Sequence, residues 1–448
     1  MSISKVTKTY LMVGIMLFGM FFGAGNLIFP IQLGQLAGEH YWLALAGFLT
    51  TAIGMPFIGI LAVGLSGTDG VKDIASRVHP IFGIIFSICL YLIIGPLFAL
   101  PRTATVPFAV GIQPYVGSSS LILALGLFSF LFFACVCYFS LNPAKAMDYI
   151  GKYLTPIFLL VLFLLILVAL IHPMGGFGNA QGAYASQPFT TGFKEGYNTM
   201  DALASLAFGI VVINAIKLRG VTGTKQIAKV TLKSGLVAMI LMMVIYGCIT
   251  FIGGTSVAQV GLLENGGLVF GAVSHHYFGT FGGLLLATII ILACMKTSIG
   301  LVTSSSTFFH ELMPQISYKK FVVAISCISF IVSNVGLTNI VKLAVPVLMV
   351  VYPVAIVLIL LTLFANRFHN SSTVYFSAVL LTLTISLIDG YNTLITMVPW
   401  TQNMFLDRVA RFYVQVLPLY SLGLGWLVPA TIGSLIGLAV YYFQPNKA

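Results

Sequence analysis

Uninterrupted apolar stretches recur along the chain, at about residues 8–37, 41–66, 80–112, 118–140, 149–171, 194–217, 227–252, 278–312, 319–335, 338–365, 374–396 and 417–443. Most reach the roughly 20 residues that a helix needs to cross a bilayer. They are apolar all round, as helices facing lipid or a protein interior are. Barrel strands would instead alternate polar and apolar positions over about ten residues. The pattern predicts an all-α integral membrane protein with twelve transmembrane helices. No low-complexity linker or soluble segment interrupts the series, so residues 1–448 read as a single transmembrane domain.

Composition agrees. Only 7% of the 448 residues are charged and 59% are hydrophobic, too few charges to cover a water-soluble surface. A soluble enzyme, a nucleic-acid binder and a disordered scaffold are excluded. The net charge of +11 therefore matters for where the positive residues lie. With the N-terminus inside, cytoplasmic segments hold 15 of the 21 basic residues, among them Lys72, Arg77, Lys145, Lys152, Lys319, Lys320, Arg367, Lys447 and the 217–233 cluster. The other six are Arg102, Lys194, Lys296, Lys342, Arg408 and Arg411. Both termini are thus expected in the cytoplasm, with 172–193 and 253–277 as long outer loops. Lys5 and Lys8 precede the first apolar run as in a signal peptide, but no small-residue cleavage site follows, so that run is expected to stay as a membrane helix. Six cysteines sit in apolar runs without metal-ligand spacing, and no disulfide, metal or cofactor is expected. Adjacent His275 and His276 read as solvated loop residues. No Walker-type loop, zinc-protease pair or potassium-filter sequence appears.

Two apolar runs carry interruptions. The first contains Gly23-Ala24-Gly25-Asn26 and then Pro30. Glycines there weaken the helix, and unwound backbone in a bilayer is tolerated only where it lines a cavity. Freed amides at a half-helix N-terminus would favour a carboxylate, and freed carbonyls a cation or ammonium. The alternative is a small-residue packing face. The sixth run, from Thr199-Met200-Asp201 to Gly209, also carries small residues at mid-membrane. Interrupted helices at matching places in two halves point to a secondary transporter with an inverted repeat. Helices 1–5 (about 8–171) and 6–10 (about 194–365) would be the halves, with helices 11 and 12 (about 374–443) added.

These segments resemble the branched-chain amino acid:cation symporter family. The resemblance rests on Gly23-Ala-Gly-Asn26-Leu-Ile-Phe-Pro30 with Gln35-Leu-Ala-Gly38, on Pro101-Arg-Thr103, on Gly196–Gly209, on Val345-Pro346 and Tyr352-Pro353, and on Ala293–Gly300. It covers nearly the whole chain. It implies the leucine-transporter fold, a bacterial plasma-membrane location, and symport of leucine, isoleucine and valine with sodium or protons. By this resemblance Gly23, Ala24, Gly25 and Asn26 bind the substrate's charged ends. Ser205, Leu206, Ala207, Phe208 and Gly209 match an unwound part of helix 6, where Phe208 would be a wall for the aliphatic side chain; by residue type alone Phe208 reads first as a core aromatic. Thr297 joins the substrate-binding set.

The wider fold's second sodium site would comprise the carbonyls of Gly19, Phe22 and Ala293 with two hydroxyl residues. Here those two positions are Lys296 and Thr297. Lysine has three donors and no acceptor, so it cannot ligate sodium, but its ammonium can take the cation's place. Such a protein would be proton-coupled or a facilitator. Competing readings are a lysine that snorkels, or one paired with Asp201 or Asp389. At the first sodium site Leu203 stands where a threonine is expected, and no arginine lies between Asn26 and Pro30. Arg102 is expected to gate or to pair with Asp201. A transporter of another small amino acid or amine, and a non-transporting sensor, remain alternatives.

Overall fold

In lipid every backbone amide and carbonyl must be satisfied within its own segment, and the chain accordingly coils almost throughout. The computed structural model describes residues 3–66, 70–113, 116–221, 223–397, 404–420 and 423–443; Lys447 lies outside them. Nine helical segments among the described residues are long and apolar enough to cross a membrane. Thr9–Phe21 and Leu427–Phe443 are shorter apolar helices.

The first stretch is split into α1 (Ile3–Phe21) and α2 (Gly25–Ala37). A π-helical turn joins α3 (Tyr41–Leu49) to α4 (Met55–Ser66), and the short α5 (Val71–Ser76) follows. α6 (Pro80–Leu92) and α7 (Ala99–Gly111) flank a second π turn, Ile93–Leu97. There Gly95 leaves helical geometry, at φ −90° and ψ −124°, just before Pro96. Next come α8 (Leu121–Ser140), α9 (Pro143–Asp148) and α10 (Thr155–Ile171).

Two short helices, α11 (Ala183–Ser186) and α12 (Pro188–Glu195), precede a 3-10 turn at Gly196–Thr199 and then α13 (Asp201–Leu218). α14 (Thr224–Val260), α15 (Gly266–Phe278), α16 (Thr280–Leu312), α17 (Tyr318–Ser333) and α18 (Leu337–Leu363) continue the bundle. α19 (Ser372–Met397), α20 (Met404–Val416) and α21 (Leu427–Phe443) complete it. Local chemistry marks several starts. Asn142 and Asn265 cap α9 and α15, their side chains accepting from the amides of Lys145 and Leu268.

The stretches expected as outer loops are loops only in part: 172–182 and 261–265 are non-helical, and helices fill the rest apart from Gln187. α11 and α12 lie in the first. α14 runs on to Val260 and α15 fills much of the second. Their small residues are close contacts rather than turn residues. A Cβ on Gly192 would fall 2.0 Å from the Ala44 carbonyl oxygen of α3, and one on Gly253 or Gly266 would fall 2.0 Å from the carbonyls of Ile31 or Ile28 in α2. α13 lies at the centre and is buried at every position from Asp201 to Ile213. α8 turns apolar side chains outward instead, Ile122 being 85% and Leu123 78% exposed.

Candidate functional site

The site starts at the gap between α1 and α2. Helical bonding fails after Phe22, whose amide still reaches the Phe18 carbonyl, and the Gly23 amide turns back to the Phe21 carbonyl and to Oδ1 of Asn26, at 2.8 and 2.9 Å. The Gly19 carbonyl consequently loses its helical partner. Asn26 uses its whole amide group. Besides accepting from Gly23, its Nδ2 donates to Oδ2 of Asp201 at 2.5 Å and to the hydroxyl of Tyr246. Asn26 thus ties the break in the first stretch to the N-terminus of α13 and to α14.

The freed carbonyls meet a lysine. Lys296 of α16 is fully buried, and its Nζ donates to Gly19 O at 3.3 Å and to Phe22 O. Three rings close around it, Phe158 with its centroid at 4.2 Å, Phe22 at 5.3 Å and Phe18 at 5.4 Å. The negative faces of aromatic rings attract an ammonium. Thr297 Oγ1 reaches Gly19 O at 3.5 Å. Among the described residues no carboxylate forms an ion pair with Lys296. The expected alternative of a structural pair with Asp201 or Asp389 is therefore not what the geometry contains. Ala293 lies within unbroken α16 and is not among the partners of Nζ.

A cavity lies beside this cluster. Gly23, Gly25, Asn26, Arg102, Thr103 and Asp201 line it, and so do the apolar Met20, Phe21, Ile94, Phe208 and Leu301. Ala24 and Thr297 line it too. Phe208 packs edge-on against Phe21, with centroids 5.3 Å apart.

The second break falls earlier than expected. α13 is helical through Ser205, Ala207, Phe208 and Gly209, so these residues do not form an unwound segment. The interruption is Gly196–Met200, a 3-10 turn ending with Met200 in the left-handed region at φ 62°. The small residues of α13 serve packing instead: a Cβ on Gly59 of α4 would fall 2.0 Å from Ser205 Oγ, and one on Gly209 would fall 2.5 Å from Val63. Ser205, Ala207 and Gly209 do not line the cavity. The Ala207 carbonyl instead accepts from Tyr91 and Ser304, at 3.1 and 2.7 Å. This break lies at the end of α13, where its first turn faces the cavity with Asp201.

Arg102 and Asp201 line the same cavity without touching as an ion pair. Arg102 donates to the carbonyl of Asn198 at 3.1 Å and lies 5.9 Å from the centroid of Phe29. The 3-10 turn presents that carbonyl to the guanidinium, while Asn26 already occupies the carboxylate. Sequence reasoning placed Arg102 of α7 at the site but missed Ile94, in the π turn that precedes it. Gly95-Pro96 in the middle of an apolar run was the available signal. Met20 and Leu301 gave none, being apolar residues among apolar residues.

The order of these elements has counterparts. A family profile described as "Branched-chain amino acid transport protein" matches residues 6–444. The chain belongs to the branched-chain amino acid transport protein family. It is 45% identical over 445 residues to the branched-chain amino acid permease BrnQ of Bacillus subtilis, covering 99% of each chain. The BrnQ permease of Escherichia coli is 36% identical, with 97% of this chain and 96% of that one covered. Two solved structures share the fold at 13% identity. Mhp1, a nucleobase-cation-symport-1 transporter captured closed with bromovinylhydantoin, superposes with a TM-score of 0.60 over 97% of this chain and 92% of its own. MhsT in complex with L-phenylalanine gives 0.53, over 96% and 98%. The family member is thus a multi-pass membrane protein of the leucine-transporter fold, a permease rather than an enzyme.

Proposed function

We propose that this protein carries leucine, isoleucine and valine across the bacterial plasma membrane by alternating access, with both termini cytoplasmic. Residues 8–171 and 194–365 act as the two inverted halves. The observation that carries this reading is the mixed lining of one small cavity: backbone of the first break, Asp201 and Arg102 line it together with Phe208, Ile94 and Leu301. The charged ends of an amino acid fit the polar groups and a branched aliphatic chain the apolar ones. The permease relatives support the choice of substrate. One methylene in such a pocket discriminates by only about 1–3 kcal/mol, so the three substrates overlap.

Lys296 acts as a tethered cation. Its ammonium takes the two helix-1 carbonyls that the fold's sodium symporters offer to the ion, so sodium is not bound there. Coupling is then to protons, or transport is facilitated without coupling.

The test is uptake of radiolabelled leucine into proteoliposomes under separately imposed sodium and proton gradients. Uptake that a proton gradient or leucine counterflow supports in sodium-free buffer is the expected result. Absolute dependence on sodium overturns the coupling assignment. No counterflow overturns transport and leaves a sensor. Counterflow by another amino acid or an amine, but not by these three, overturns the substrate.

A further inference from the structure

Away from the transport path, a long groove runs between α18, α19 and α21. Leu360, Leu361, Phe364, Leu427, Ala430 and Leu438 make its walls, and nothing in the proposed transport cycle uses it. It opens toward the lipid, since Phe364 on its rim is 61% exposed. Trp426, just before α21, also lines it and is 3% exposed.

The lining also carries charge. Arg367 lies in the turn that connects α18 to α19, beyond the apolar run of α18, and lines the groove. Among the described residues its guanidinium has no hydrogen-bond or ion-pair partner, whereas its carbonyl accepts from the hydroxyl of Tyr442 at 3.3 Å. His369 and Tyr441 bond at 2.8 Å beside it, so the turn is held against α21. From Leu427 to Leu438 the lining covers about 16 Å of helix. That is close to one leaflet of a hydrocarbon core about 30 Å thick.

We propose that this groove is a binding site for one anionic phospholipid, with its phosphate on Arg367 and an acyl chain lying along α21 toward Trp426. The occupant follows from length, apolarity and charge together. An extended protein segment would bring backbone groups with no partner in the groove, and a second apolar helix would leave Arg367 without an anion. A zwitterionic lipid would fill the walls but gain less at Arg367, because anionic headgroups are what juxtamembrane basic residues attract.

The chain has three tryptophans, Trp42, Trp400 and Trp426. In the full-length W42F/W400F protein, fluorescence therefore reports on Trp426 alone. Reconstitute it in phosphatidylcholine vesicles containing a small mole fraction of lipid brominated on its acyl chains. Brominated phosphatidylglycerol should quench Trp426 with roughly fivefold higher apparent affinity than brominated phosphatidylcholine, the factor one basic residue contributes near an anionic surface. Unlabelled phosphatidylglycerol should reverse the quenching and inorganic phosphate should not. Arg367→Gln should abolish the preference, and Arg367→Lys should keep part of it. Equal quenching by both lipids would mean ordinary annular lipid and overturn the proposal. So would the absence of quenching, or displacement by inorganic phosphate. The comparison of the two lipids on unmutated Arg367 decides even if the substitutions do not fold.

Discussion

The Nζ of Lys296 lies 4.2 Å from the centroid of the Phe158 ring, although α16 and α10 are separate helices and no carboxylate pairs with the lysine among the described residues. Carbonyl oxygens and ring faces provide the negative potential that an acid would otherwise supply. A desolvated cation–π contact contributes about 2 kcal/mol, and hydrogen bonds from a charged donor about 1.5–3 kcal/mol each. Lys296→Thr removes all of these and restores a hydroxyl. Leucine uptake in sodium-free buffer should fall by at least about tenfold, a loss equivalent to about 1.4 kcal/mol, and sodium should recover part of it. A variant with unchanged uptake and unchanged ion dependence would show that Lys296 has no part in coupling.

Asn26 joins two broken segments through its side chain. Asn26→Asp keeps an acceptor for the Gly23 amide but removes both donors and sets a second carboxylate against Asp201. Adjacent carboxylates disfavour each other's ionisation. The expected result is a folded protein that has lost most leucine binding, read as disappearance of the leucine-dependent rise in melting temperature. Binding equal to the parent would remove this network from the site.

Phe208 lines the cavity, braced on Phe21 at 5.3 Å. Phe208→Ala should widen it. Valine should then compete less well against labelled leucine and phenylalanine better, with shifts of about 10–200-fold as pocket volume changes by methylene-sized steps. An unaltered competition series would place the aliphatic side chain elsewhere.

Gly34 tests the packing of the scaffold. A Cβ there would fall 2.0 Å from the carbonyl oxygen of Thr250 and 2.8 Å from the amide of Gly254. Backbone cannot yield as a side-chain tip does, so Gly34→Ala should cost about 1–3 kcal/mol. Gly247→Ala, in the same partner helix but with nothing within 4 Å of the added carbon, is the control. The first variant should melt several degrees lower in detergent and the second should not. Equal melting temperatures would mean that α2 and α14 are less closely packed than described.

The run of apolar stretches determined the membrane class and the helical fold, because a bilayer leaves a spanning chain few other ways to satisfy its backbone. Gly23-Ala24-Gly25-Asn26 left two readings open, a break or a small-residue packing face, and the fold decided for the break. The place of Lys296 beside the Gly19 and Phe22 carbonyls was legible from its position on the family's pattern.

Other features depended on neighbours that lie far away in the chain. The small residues of Ser205–Gly209 look the same whether a helix unwinds or packs closely; only the approach of Gly59 and Val63 from α4 decided for packing, and it moved the second break to Met200. Glycine-rich loops and glycine-rich contacts are likewise alike in sequence, and α2 and α3 decided that 172–193 and 253–277 contain packed helices. Three phenylalanines among 35 became the surroundings of a buried ammonium. Periodicity and composition report the medium around a segment, whereas the partner of a given side chain is set by which helices meet, and that is a property of the folded bundle.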